Sequence, residues 1–340
     1  MRIDANVYWL PDCLFTDESV RNAFLRCIPR EYGVCASATP LLEGNVRIDI
    51  EKPAGCENLN YFRLDYQMEK QLADMDRAGI DKAILKLPGC QEWLSLDLCR
   101  LFNDAAAAHV AASGGRMEAL AVVPPYGDAD SLRELDRCVW ELGMKGLQLS
   151  AHYGNYYLDH PMFRPLLKKA NELGIPVYVH HTPIPVDSAS ILEYNNLRRS
   201  FGRCQDQITA IGRELFSGMF AELPGLKMIH SMLGGGYFTF KEMLMPRDSG
   251  GGRFDTDTEA IRKYLKENIY FEISHAQPWG KEILELAVNI LGADHMIYGS
   301  SYPVKEVWMT GGPAFVEGLE ISSEEKELLL GENARAIYRV

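Results

Sequence analysis

LDHPMFRPLLKKANELGIPVYVH, residues 158–180, holds one full unit of the fold. Pro161 suits a first helical turn, where its missing N–H costs nothing. Apolar residues then recur at helical spacing until Gly174, and glycine accepts the left-handed conformation that closes a helix. IPVYVH, 175–180, follows as a strand whose last residue is His180.

The same alternation runs outward in both directions. Strands are expected at 2–8, 81–87, 117–123, 145–149, 175–180, 226–230, 269–274 and 295–300. Helical patterns cover 66–79, 94–113, 128–142, 161–174, 259–267, 281–292 and 322–338, the last opening on a Ser322/Glu325 capping box. Strands alternating with helices imply parallel pairing. Eight such units predict an α/β fold, a closed (β/α)₈ barrel forming a single domain over 1–340. Residues 9–65 read as an irregular insertion after strand one, a lid or a subunit contact carrying Trp9, Leu10, Phe15, Phe24, Leu25 and Tyr32. Residues 188–222 read as a helical excursion. An open doubly wound sheet is the alternative, but no G-x-G-x-x-G follows any strand, and GGGRF at 250–254 reads as a loop.

Composition narrows the function classes. With 47% hydrophobic and 24% charged residues, the 340-residue chain can bury a large core. Its net charge of −12 repels phosphate backbones, so nucleic acid is not an expected partner. No apolar run reaches the ~18 residues of a membrane span, and no signal-peptide pattern opens the chain. The eight cysteines are scattered without a C-x-x-C pair, which points to reduced thiols and a cytoplasmic location.

In barrels of this kind the active site lies at the carboxyl ends of the strands. Those ends carry Asn6 and Tyr8, Lys86, Gln148, His180 with His181, His230, His275, and Ser301. His180, His230 and His275 close three successive strands, and imidazole suits proton transfer near neutral pH. These three are the expected catalytic residues. Asn6, Tyr8, Ser301, Lys86, Gln148 and His181 are the expected substrate contacts. His109, His152, His160 and His295 are expected at the surface or in caps.

Four stretches together resemble the amidohydrolase-related family, which includes aminocarboxymuconate-semialdehyde and resorcylate-type decarboxylases. They are residues 158–180, ELPGLKMIHSMLGGGYF (222–238), GADHMIYGSSYPV (292–304) and GENARAIY (331–338). The resemblance implies a barrel, a small organic substrate and a divalent metal at the strand ends. It departs where the family opens with I-D-x-H-x-H, since this chain reads IDANVYW, with Asn6 and Tyr8 in the histidine places. On strand eight the family's aspartate place holds Ser301. Of the metal ligands the resemblance implies, His180 alone is kept, and His230 takes the place of the proton-transfer group. Zinc sites draw on His, Cys and carboxylate ligands, so no cofactor is expected. The alternative is zinc or manganese held at a rearranged site by His180, His230 and His275.

The expected activity is hydrolysis or non-oxidative decarboxylation of a small carboxylated or cyclic substrate, in a homo-oligomer. A barrel that binds without turnover, and a metal-dependent hydrolase with relocated ligands, stay open as alternatives.

Overall fold

The computed structural model describes residues 1–28, 35–42, 45–52, 54–247 and 258–340. Tyr32 and the GGGRF stretch lie outside them. Strand β1 (Ile3–Tyr8) is buried along its whole length. Helix α1 (Glu18–Cys27) follows, capped by the Asp17 carboxylate, which accepts from the amides of Ser19 and Val20. Next come β2 (Cys35–Pro40), β3 (Val46–Glu51) and β4 (Glu57–Phe62), an antiparallel sheet in the order β2-β3-β4. The described residues of 9–65 are therefore not irregular. The period-two burial of Ile48 and Ile50 in VRIDIE was the signal of a strand. Trp9, Leu10, Phe15 and Phe24 are all buried in the main hydrophobic core, so they form no exposed patch for a partner.

Alternation then sets in. Helix α2 (Met68–Ala78) stops at Gly79 with φ 66°, as its sequence requires. Strand β5 (Lys82–Lys86), α3 (Leu96–Ala112), β6 (Met117–Ala119), α4 (Ala129–Trp140) and β7 (Leu147–Ser150) follow. A hairpin, β8 (His152–Tyr153) and β9 (Tyr156–Tyr157), leads to α5 (Arg164–Leu173) and β10 (Val177–His180). Pro161 opens a 3₁₀ turn just before α5, and Gly174 ends that helix at φ 63°.

The excursion after β10 is less helical than its sequence pattern. A 3₁₀ turn at Ala189–Ile191 and a π turn at Leu197–Phe201 precede α6 (Gly202–Phe216). The remaining units are β11 (Met228–His230), α7 (Thr258–Asn268), β12 (Ile269–Glu272), α8 (Lys281–Leu291) and β13 (Met296–Ile297). The capping box of Ser322 and Glu325 is present in full.

The fold is thus mixed α/β. Its parallel strands form two sheets, β1-β5-β6 and β13-β12-β11-β10-β7. Isolated parallel bridges join Val7 to Tyr302 and Ala121 to Leu147 at the two seams. Apolar side chains such as Ile3, Ile84, Leu120, Ile229 and Ile297 form one buried cluster between the strands.

After β11 the backbone turns left-handed for five residues, Met232 to Gly236. That coil lays residue 235 against α6. A Cβ on Gly235 would fall 2.1 Å from the Cys204 carbonyl oxygen, at φ 67°. Backbone cannot yield as a flexible side chain does. Gly235→Ala should therefore cost about 1–3 kcal/mol from overpacking alone. Urea unfolding measures it, and an unchanged midpoint would show that the coil does not seat on α6.

Candidate active site

The strand ends converge on a buried carboxylate. Glu272, last residue of β12, is fully buried. Tyr178 Oη donates to it at 2.8 Å, Asn6 Nδ2 at 3.0 Å and Ser274 Oγ at 3.0 Å. Burial pushes its carboxyl up; Lys86 and these donors pull the other way. Lys86, in register with Tyr8 on the neighbouring strand, places its ammonium 3.1 Å from the centre of the Tyr178 ring. It has no hydrogen-bond partner among the described residues. Burial pushes the amine down to about 7, against the charges of Glu272 and Asp4. Asp4 is pushed up to about 7, again by burial, although its Oδ1 accepts from the amides of Asn6 and Ser300 at 3.0 Å each.

Above this layer is a cavity of about 300 Å³, lined among others by Tyr8, Tyr61, His180, His181, Arg199 and Arg203. His180 Nδ1 meets the His181 carbonyl at 2.5 Å. A carbonyl only accepts, so the hydrogen is on Nδ1, and Nε2 accepts from Tyr8 Oη at 3.0 Å. Burial pushes His180 down to about 3, and the cations of Lys86 and Arg203 act in the same direction. The ring is neutral at physiological pH. Tyr8 is pushed up to about 12 by burial and the Glu272 charge, with Ser301 and Arg203 opposing. His181 stacks on His180 at 4.2 Å and is also driven well below its ordinary value, first by burial. Arg203 is pushed down to about 10 by burial and by Arg199 beside it. The wall presents two guanidiniums, two neutral imidazoles and the three phenols of Tyr8, Tyr61 and Tyr66, together with the carboxyl of Asp65, which burial pushes up.

Of the residues predicted from the sequence, Tyr8, His180 and His181 meet at this cavity; the others do not line it. His230 is the largest departure. Its Nδ1 faces Gln207 Oε1 at 2.8 Å and its Nε2 faces Glu214 Oε2 at 2.9 Å, both on α6. Both ring nitrogens are engaged behind β11, with no solvent exposure, so His230 shares no cleft with His180. His275 stacks on Trp308 at 4.3 Å and is pushed down to about 4 by burial. The trio His180, His230 and His275 is therefore not assembled. Gln148 spends its amide on the Leu87 backbone, accepting from its N–H and donating to its carbonyl at 2.8 Å each. Asn6 and Ser301 bond each other at 3.1 Å, and Ser301 passes a hydrogen bond on to the Ser274 carbonyl. Lys86 lies below the cavity floor. His152 and His295 are buried, not surface groups.

Glu272, Arg199 and Tyr61 were not among the expected site residues. Glu272 had a usable signal, since a carboxylate inside a buried strand must find partners. Arg199 had none, because its place depends on the π turn.

The buried amine carries a pH signature. Lys86 has an ordinary value of 10.5 when free and about 7 in the fold. Between those values the unfolded chain binds more protons, so stability rises with pH across that window and gains nothing from this group below it. Asp4 acts oppositely, and lower: its raised value makes stability fall as pH climbs from about 4 to about 7. Urea unfolding from pH 7 to 10 should show the rise in the native chain and lose it in Lys86→Met. An identical slope in both would mean that Lys86 keeps its ordinary proton.

The profile of the family described as Amidohydrolase matches residues 63–340. A 2-amino-3-carboxymuconate-6-semialdehyde decarboxylase of Dictyostelium discoideum is 28% identical over 246 residues, covering 71% of this chain and 66% of that protein. A gamma-resorcylate decarboxylase of a Rhizobium species is 26% identical over 310 residues, covering 84% of this chain and 90% of its own. The solved 5-carboxyvanillate decarboxylase of Novosphingobium aromaticivorans superposes with a TM-score of 0.75 at 22% identity, covering all of this chain and 96% of that one.

That last structure holds manganese together with a nitrobenzoic acid. It overturns the expectation of no cofactor, since a divalent metal is what the relatives point to. The donors here do not make a seat for one. Among the described residues no group of three or more His, Cys, Asp or Glu side chains could hold a metal ion. Tyr8 already occupies His180 Nε2, and the places of the family's other ligands hold the amide of Asn6 and the hydroxyl of Ser301, which bond each other. With most of its length matched and His180 kept at the end of β10, the chain belongs to the amidohydrolase family.

Proposed function

We propose that this protein is a decarboxylase of a small aromatic carboxylate, working in the 300 Å³ cavity. On the same reading, the two parallel sheets are one eight-stranded barrel, closed by the bridges at Val7–Tyr302 and Ala121–Leu147. The antiparallel sheet of residues 35–62 is its lid, since Leu59, Tyr61 and Phe62 line the cavity. The observation that carries the proposal is the Tyr8–His180 pair facing Arg203 and Arg199 in one enclosed space.

Arg203 and Arg199 hold the substrate carboxylate, as guanidinium forks do. The C–C bond breaks, CO₂ departs and the electron pair stays on the ring carbon. That carbon then takes a proton. Tyr8 supplies it: its hydroxyl rests on His180 Nε2 in the free protein and turns to the carbon in the complex. The phenolate left behind is stabilised by the Arg203 charge, which already opposes the rise in the Tyr8 value. His180 stays neutral throughout and holds the phenol in place. Named relatives that are decarboxylases support the reaction class.

The test is loss of 2,6-dihydroxybenzoate and related hydroxybenzoates, followed by absorbance, with manganese supplied. Tyr8→Phe should lower kcat by about 10²–10⁴-fold, the usual worth of a placed proton donor. Arg203→Gln should raise KM about 10–100-fold, from the loss of a charged hydrogen bond worth roughly 1.5–3 kcal/mol. Normal turnover by Tyr8→Phe would remove the phenol from the mechanism. No consumption of any acid would refute the reaction.

A further inference from the structure

A second cavity is larger than the one just described. It holds about 620 Å³ and is walled by the loop after β5, the β8–β9 hairpin and the loop after β10. The two cavities share no lining residue among those described. Trp93 and Tyr153 are buried in its wall, and Tyr126 and Tyr156 stand half exposed at its rim. Its volume is in the range of small-molecule sites.

Two observations say what it would bind. First, the wall offers no reactive imidazole. His152 Nδ1 faces the Gly154 carbonyl at 2.8 Å, and Nε2 faces the Ile184 carbonyl at 3.1 Å and Thr182 Oγ1 at 2.7 Å. It clasps the hairpin to the opposite loop. Second, a nearly buried ion pair lines the wall. Lys52 Nζ stands 3.4 Å from Glu92 Oε1, with 9% of each side chain exposed. That distance is long for a charged pair, whose usual range is about 2.7–2.9 Å. The ammonium has three donors and the carboxylate several lone pairs, so each has capacity to spare.

Displacing one partner of such a pair strands the other charge, which is costly in a buried place. A ligand that engages it must therefore carry both signs. Four aromatic side chains in the wall of the same cavity favour a ring on the same ligand. We infer that this cavity is a second binding site, for an aromatic zwitterion of the amino-acid type. The ligand's carboxylate meets Lys52, its ammonium meets Glu92, and its ring lies among Trp93, Tyr126, Tyr153 and Tyr156. The site stands independently of the decarboxylase reading. It is nevertheless wired to the smaller cavity. Thr182, beside His181, donates from both its amide and its hydroxyl to Asp206 Oδ2 at 3.0 Å. Asp206 lies on α6, one turn from Arg203.

Titration calorimetry on the whole protein tests this with L-tryptophan, tryptamine and indole-3-propionate. Tryptophan should bind one per chain, at least tenfold tighter than either single-charge analogue. Lys52→Met with Glu92→Gln removes both charges together and should abolish that preference. Tyr8→Phe, in the other cavity, should leave it intact. Tyr156→Ala, at the exposed rim and safe for folding, should weaken tryptophan about two- to tenfold. The inference is overturned by no tryptophan binding at millimolar concentration, or by an analogue that binds equally well. It is also overturned if the preference survives the double variant, if Tyr156→Ala has no effect, or if Tyr8→Phe abolishes binding.

Discussion

Glu272 is a carboxylate with no access to water, and four segments answer it. Asn6 comes from β1, Tyr178 from β10, Ser274 from the turn after β12, and Lys86 faces it from β5. A buried carboxyl group is tolerated only when hydrogen-bonded, and its charged form only when paired as well. Meeting that demand brings the ends of strands from both parallel sheets to one point. Gly299 shows how close the approach is: a Cβ there would fall 2.0 Å from Glu272 Oε1. The floor of the cavity is set by this one requirement.

The layer above follows from it. Once Asn6 is committed to Glu272 and Ser301, Tyr8 is the β1 side chain left to face the cavity. Its hydroxyl reaches His180, whose other nitrogen is held by a carbonyl, so the tautomer is set without any ligand. Burial first, and the Arg203 charge with it, keeps both imidazoles neutral, and the guanidiniums of Arg199 and Arg203 on the same wall suit an anion. The solved 5-carboxyvanillate decarboxylase carries manganese, whereas among the described residues here no group of three or more His, Cys, Asp or Glu side chains could hold a metal ion.

Helix α6 links the two cavities and the back of the sheet. One face sends Gln207 and Glu214 to His230; its first turn carries Arg203 to the smaller cavity; Asp206 fixes the loop that roofs the larger one. The π turn before it rotates Arg199 onto the same wall as Arg203. π turns inside helices recur at functional sites because they re-aim side chains at the cost of one regular hydrogen bond.

The units of the fold were legible in the residues because their signals are local. Gly79 and Gly174 end helices at positive φ, Ser322 and Glu325 build a capping box, and His180 closes a strand, all as the spacing alone requires. Three of the expected site residues, Tyr8, His180 and His181, meet at the smaller cavity, since parallel neighbours bring their strand ends to the same edge. Which way His230 faces was not local. It rests on whether a carboxylate on α6, sixteen residues away in sequence, waits behind the strand, and Glu214 does. Lys86 and Gln148 were likewise legible as strand ends but not as core groups, because their partners, the Tyr178 ring and the Leu87 backbone, come from neighbouring strands. Sequence determines which residues sit at the strand ends. Tertiary packing decides which of them reach water and substrate, because only packing supplies the partner that satisfies a buried polar group first.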